Sequence, residues 1–288
     1  MNLLSRASFA DTATPYPDAR YVIFGVPFDS TTSFRAGTRS GPRAIREFSY
    51  NFESYIPAYR IDLADIPVAD LGDIDVSTIP DLMVAEVEDT VREINKDGKV
   101  PVMLGGEHSI TAAAARAMKP DCFIVCDAHL DLREEFRGTV HNHACTTREV
   151  YEDVTRDVII IGGRSGTADQ FAFAEENLTL FTADRIRKEG IELVLAELRR
   201  RTAGKRVYLS IDADAIDCCL TPGLGTPEPF GLTPEEVRSV IGLVADRAVA
   251  FDYTEVCPAY DHGQAAVVAG QLVREFIAAH WNSGKACQ

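Results

Sequence analysis

The chain has 288 residues, 46% of them hydrophobic, with 29 basic against 44 acidic side chains and a net charge of -15. That length suffices to bury a sizeable core in one domain spanning 1–288, and the acidic balance excludes a protein that coats nucleic acid, whose phosphates need a basic face. A neutral or cationic small substrate suits the charge, and no run of apolar residues is long enough to cross a bilayer, so no membrane partner is expected.

Met1 to Ala10 contain no basic segment followed by an apolar stretch, which predicts an unexported, soluble chain. The seven cysteines are odd in number and form no Cys-x-x-Cys pair, which fits reduced thiols in the cytoplasm. Tyr21 to Val26 reads as a first core strand, followed by a polar loop from Asp29 to Gly41 and a helix opened by Pro42. A strand near Val68 to Leu71 precedes a helix that starts at Pro80 and stops at Gly98. Val100 to Leu104 predicts a strand, Ser109 to Met118 a small-residue helix, and Asp121 to Cys126 another strand. Val158 to Ile161 continues the rhythm, then an amphipathic helix over Ile186 to Arg199 and a strand over Val207 to Ile211. Thr233-Pro234-Glu235-Glu236 is a capping box, Ala248 to Val256 the last strand, and Val268, Leu272, Phe276 and Ile277 mark a C-terminal helix. Strands alternating with helices predict a three-layer α/β/α fold around a central, mostly parallel sheet. The loops after Leu104, Cys126, Ile211 and Phe251 should then meet at one edge.

Two acidic clusters follow buried-strand runs: Asp127-Ala128-His129-Leu130-Asp131 and Asp212-Ala213-Asp214-Ala215-Ile216-Asp217. Alternation along an extended backbone would turn Asp127, His129 and Asp131 to one side, and likewise Asp212 and Asp214. His108, from Gly105-Gly106-Glu107-His108-Ser109, completes a set of two imidazoles and four carboxylates. Such a set can hold two divalent ions, and its oxygen-rich character suits two Mn²⁺ or Mg²⁺ per subunit, Mn²⁺ being preferred. Two ions about 3.5 to 4 Å apart share and acidify a water, so hydrolysis is the natural reaction.

Other residues leave alternatives open. Glu255 either finishes a strand as a solvated charge or accepts hydrogen bonds from a planar cation. Either His141 or His143 could shuttle protons, and either could be an ordinary surface histidine. Arg35 and Arg43 either bind an anion or fasten a loop. Cys218, Cys219 and Cys257 read as small, partly buried residues, since an activated water makes a thiol nucleophile superfluous.

In order and spacing, Gly25 to Asp29, Phe34 to Pro42, Gly105 to Ser109, Asp127 to Asp131, Gly163-Arg164-Ser165, Ser210 to Asp217, Gly225-Thr226-Pro227 and Glu255 together resemble the ureohydrolase family of arginases and agmatinases. The resemblance implies that His108, Asp127, Asp131 and Asp212 surround one Mn²⁺, that Asp127, His129, Asp212 and Asp214 surround the other, and that Asp127 and Asp212 bridge. It further implies attack of an activated water on a guanidinium carbon, a proton relay through Asp131, a guanidinium held by Glu255, and His143 rather than His141 as the mobile proton carrier. The stretches Phe28 to Arg35 and Asp131 to Glu135 are most similar to microbial agmatinases, which convert agmatine and water to putrescine and urea in polyamine biosynthesis. N1-aminopropylagmatinase, guanidinobutyrase, arginase and an inactive metal-binding homologue are the alternatives. Homo-oligomers, whether trimers, tetramers or hexamers, are implied as well. Cys218 and Cys257 depart from the Pro and Asn common at their positions.

Overall fold

The computed structural model describes residues 8–286. Its main sheet contains β1 (Tyr21–Val26), β4 (Val68–Asp73), β5 (Val100–Gly105), β6 (Cys122–Cys126), β7 (Val158–Gly163), β8 (Thr179–Thr182), β9 (Val207–Asp212) and β10 (Ala248–Thr254). Their order is β4-β1-β5-β10-β9-β6-β7-β8, and every pair in it is parallel. A separate hairpin pairs β2 (Tyr55–Ile56) with β3 (Ile61–Asp62).

Parallel strands covered on both faces must be apolar throughout, and β1, β6 and β7 are buried at every position. Alternation along β6 sends Phe123 and Val125 to one face and Ile124 and Cys126 to the other. The first face is covered by α2 (Pro80–Lys96), α3 (Ile110–Met118), α4 (Thr146–Asp153) and α5 (Ala168–Asn177). The opposite face is covered by α1 (Gly41–Ser49), α6 (Ala183–Glu189), α7 (Glu192–Arg201), α8 (Pro234–Val244) and α9 (Gln264–Ala286). The three-layer expectation holds.

Several local expectations hold with it. Thr233 and Glu236 form the reciprocal capping box at the start of α8, and Gly98, just beyond α2, takes a φ of 71°. The helix expected over Ile186 to Arg199 is instead two helices, because Gly190 adopts a φ of 86° and stops α6 before α7 begins. No helix among the described residues is long and apolar enough to cross a membrane.

One close approach fixes the edge where the strands end. Gly106 N donates to Val26 O at 2.9 Å and Glu107 N to Phe28 O at 2.7 Å, so the chains leaving β5 and β1 run side by side. A Cβ on Gly106 would stand 2.0 Å from the Phe28 carbonyl oxygen. Gly106→Ala is therefore expected to cost about 3 kcal/mol, the upper end for overpacking, because main chain and not a flexible side chain must yield. Chemical denaturation would register this as a lower midpoint, and an unchanged midpoint would contradict the packing.

Candidate metal centre

His108 follows β5, Asp127, His129 and Asp131 follow β6, Asp212 ends β9 with Asp214 in the turn beyond, and Glu255 follows β10. Those four strands are neighbours in the order β5-β10-β9-β6, so their carboxyl ends open onto one crevice. His108 Nδ1 lies 3.2 Å from Asp127 Oδ2, 3.1 Å from Asp131 Oδ2 and 3.3 Å from Asp212 Oδ2. His129 Nδ1 lies 2.9 Å from Asp214 Oδ2 and 3.7 Å from Asp127 Oδ1. Two triads result, His108-Asp127-Asp212 and Asp127-His129-Asp214, each with its ligand atoms within 4.8 Å of one another. Asp127 belongs to both.

The convergence does not come from strand alternation, as expected from the sequence, because β6 ends at Cys126 and the cluster lies in a loop. Asp127 Oδ1 accepts the His129 amide at 2.6 Å, Asp212 Oδ1 accepts the Asp214 amide at 2.8 Å, and Asp131 takes a φ of 49°. These carboxylates fold the backbone into tight turns with one oxygen and leave the other facing the crevice.

Charge crowding follows. Burial, with Asp131 and Asp214 nearby, pushes the Asp127 carboxyl up to about 7. Burial likewise raises Asp212, with Asp214 and Asp127 adding repulsion. For Asp214 burial acts upward too, but His129 outweighs it and holds the carboxyl low. Asp127 Oδ2 is enclosed and has no hydrogen-bond partner among the described residues. A buried acceptor left unpaired beside other carboxylates is costly unless a cation meets it.

The imidazole of His108 is held from the other side. Ser210 Oγ donates to Asp252 Oδ1 at 2.6 Å, so it can only accept from His108 Nε2, 3.1 Å away. That bond puts the proton on Nε2 and turns the Nδ1 lone pair toward Asp127, Asp131 and Asp212. In the neutral ring that lone pair is available to a cation; with no cation there, Asp127, Asp131 and Asp212 outweigh burial and raise the His108 pKa, so that Nδ1 can also be protonated toward them. The donor set thus fits a pair of divalent cations.

A cavity of about 300 Å³ adjoins the centre and is lined by Ser33, His129, Asp131, Phe136, His143 and Thr226, among others. A larger groove of about 610 Å³, between the Phe52–Ala58 segment and α8 and α9, contains none of the ligand candidates. The geometry separates the two histidines left open by the sequence. His143 faces the cavity, with Nδ1 3.2 Å from Thr31 Oγ1 and Nε2 3.2 Å from Ser33 Oγ, whereas His141 pairs with Glu149 at 2.9 Å and lines no part of it. Glu255 is buried, accepts the His108 amide at 2.8 Å, and has its carboxyl raised by burial and by Glu107. It is not a solvated strand end.

Arg35 stacks on Phe34 and Tyr260, Arg43 is exposed, and neither lines the cavity. Cys257 is buried with its thiol toward Ala36 O and Cys218 is half-buried, whereas Cys219 is exposed, contrary to the expectation of partial burial. Cys287 lies outside the described residues. Sequence reasoning missed Ser210, Asp252, Glu107 and Glu228. The first two did leave a signal as polar residues inside apolar strands, and the last two act only through the fold: Glu107 accepts from Thr31 and Ser109, and Glu228 Oε1 lies 3.7 Å from His129 Nε2.

The sequence model described as the arginase family matches residues 19–279. The chain belongs to the arginase family. It is 39% identical over 272 residues to N(1)-aminopropylagmatine ureohydrolase of Thermococcus kodakarensis, covering 93% of each chain. It is 38% identical to the agmatinase of Pyrococcus horikoshii, covering 83% of this chain and 84% of that one. The crystal structure of agmatine ureohydrolase of Thermoplasma volcanium superposes with a TM-score of 0.94 at 38% identity, covering 99% of this chain and 97% of the other. The arginase-family member described here is a hydrolase of guanidino compounds.

Proposed function

We propose that this chain is one ureohydrolase domain that binds two Mn²⁺ and hydrolyses agmatine to putrescine and urea, as a cytoplasmic homo-oligomer serving polyamine biosynthesis. The observation that supports it best is the sharing of Asp127 between the two histidine-carboxylate triads. In this reading His108, Asp127, Asp131 and Asp212 hold one ion, His129 and Asp214 join Asp127 and Asp212 around the other, and the oxygen-rich set favours Mn²⁺. Bound there, the ions would supply Lewis acidity and make a water acidic enough to lose a proton near neutrality. Glu255 accepts the guanidinium N–H groups, its carboxylate stabilised by the substrate's own positive charge. Asp131 lies at the rim of the ligand set and the wall of the cavity, where it passes a proton toward the departing amine. Burial lowers the pKa of His143, which keeps its ring unprotonated near neutrality and able to carry a second proton between the departing amine and solvent.

A distal amine, not an amino-acid head group, is supported by the names carried by the relatives at 38 and 39% identity. The second reading is aminopropylagmatine, the substrate in the name of the Thermococcus kodakarensis relative. Urea release from agmatine, aminopropylagmatine, guanidinobutyrate and arginine, with metal analysis alongside, separates these readings. Agmatine is expected to give the highest kcat/KM, and urea from another guanidine with none from saturating agmatine would overturn the substrate. Chelation is expected to abolish turnover and Mn²⁺ to restore it; activity that survives complete removal of metal would overturn the binuclear centre.

A further inference from the structure

We propose that Arg164 is a positioning residue for the half of the metal centre formed by Asp127, His129 and Asp214, setting the spacing of the two loops that carry them. The inference rests on the binuclear reading above, and concerns a residue that contributes no ligand to it.

Arg164 follows β7, one strand beyond β6 in the sheet. Its backbone N–H donates to Ala128 O at 2.7 Å, and the Ser165 N–H joins it on the same oxygen at 2.9 Å. Ala128 lies between Asp127 and His129, so this pair of bonds holds the first ligand loop. A parallel bridge from Ser165 to His129 extends the hold.

The side chain reaches the second loop. A guanidinium has five N–H donors in a rigid plane. Here each meets a backbone carbonyl: Nε donates to Pro229 O at 2.9 Å, Nη1 to Gly162 O at 3.2 Å and Ala215 O at 3.3 Å, and Nη2 to Asp214 O at 2.8 Å and Glu228 O at 2.9 Å. The plane of one side chain therefore joins the end of β7, the turn that carries Asp214, and the segment that sets Glu228 beside His129. No carboxylate neutralises it at these contacts; its partners are all main-chain oxygens.

The consequence is local. Asp214 and His129 follow strands that are neighbours in the sheet but are separated along the chain by β7 and β8, yet their ligand atoms must meet within tenths of an ångström of a common centre. His129 Nδ1 meets Asp214 Oδ2 at 2.9 Å and Ala128 N donates to Asp214 Oδ1 at 3.1 Å, while Arg164 holds both loops from behind. The His108 side of the centre has no contact with Arg164 and takes its orientation from Ser210 and Asp252. The support particular to His108 is thus separate from the one behind His129 and Asp214, while Asp127 is shared by both triads.

Lysine keeps the charge but offers three donors from a single point, so it cannot meet five carbonyls spread over three segments. The test is Mn²⁺ titration of metal-free wild type and Arg164→Lys, following free ion by its aqueous EPR signal, with a thermal melt of each metal-free protein. The expected result is two ions in the wild type, and in Arg164→Lys one ion bound within about threefold of the wild-type affinity and a second weakened roughly 10- to 100-fold, the usual effect of losing support behind a ligand. Excess Mn²⁺ should then recover most of kcat with KM little changed. Equal weakening of both ions, or two ions bound as in the wild type, overturns the assignment. Loss of a cooperative melt in metal-free Arg164→Lys also overturns it, by assigning the clasp to the fold at large. Fewer than two ions in the wild type refutes instead the binuclear reading beneath it.

Discussion

Replacing Asp127 by Asn lowers urea release at micromolar Mn²⁺ by roughly 10²- to 10³-fold, the scale set by removal of one preorganised electrostatic group from a reacting centre. The expectation follows from the geometry. Asp127 is the one carboxylate common to both triads, and its Oδ1 is already committed to the His129 amide at 2.6 Å. An amide in its place keeps the shape but removes the negative charge, and it turns either an NH₂ group or an uncharged oxygen toward the cations. Both half-sites should weaken together, in contrast to the selective effect expected at Arg164. Metal content by mass spectrometry should fall below two per chain, and Asp127→Asn with full activity and two ions would contradict the bridging role.

His143→Asn should produce the other large loss, roughly 10²-fold in kcat, the lower range for deletion of a general acid or base. Here the metal should stay. The His143 ring touches Thr31 and Ser33 and no ligand candidate, so its removal leaves the carboxylates and imidazoles of the centre in place. The separating measurement is paired: steady-state kinetics with metal content on the same preparation. Lost metal would move His143 into the binding set, and unchanged kcat would remove it from proton transfer. His141→Asn serves as the control, because His141 is engaged with Glu149.

The fold was legible where burial on both faces makes a strand one continuous apolar run, as in Phe123 to Cys126 or Val207 to Ile211, and where each run ends abruptly in charge. It was less so at the sheet edge. Thr179–Thr182 forms β8 with only Phe181 buried, and α4 and α5 lie between regions whose polar composition hides their inner faces. The long helix expected over Ile186 to Arg199 failed at Gly190, whose positive φ is a tertiary choice that periodicity does not encode. Among site residues, the acids and histidines stood out because they cluster at strand ends. Their convergence, however, depends on turns that their own carboxylates stabilise, as at Asp127 and Asp212, and no alternation rule contains that information. Arg164 stood in a quoted motif without a role, since its partners are carbonyls from residues 162, 214, 215, 228 and 229, which any sequence possesses.

The candidate ligands and Glu255 sit at the ends of four central strands, while much of the cavity wall comes from longer connections: Ser33 before α1, Arg133 and Phe136 after β6, Gly166 and Thr167 after β7, and Thr226 after β9. Reactivity and taste are thereby housed in different parts of the chain. A lineage can exchange wall residues one at a time and drift from one guanidine to another while its reactive core stays untouched. An engineer can do the same, by randomising those few wall positions and screening for new amines released.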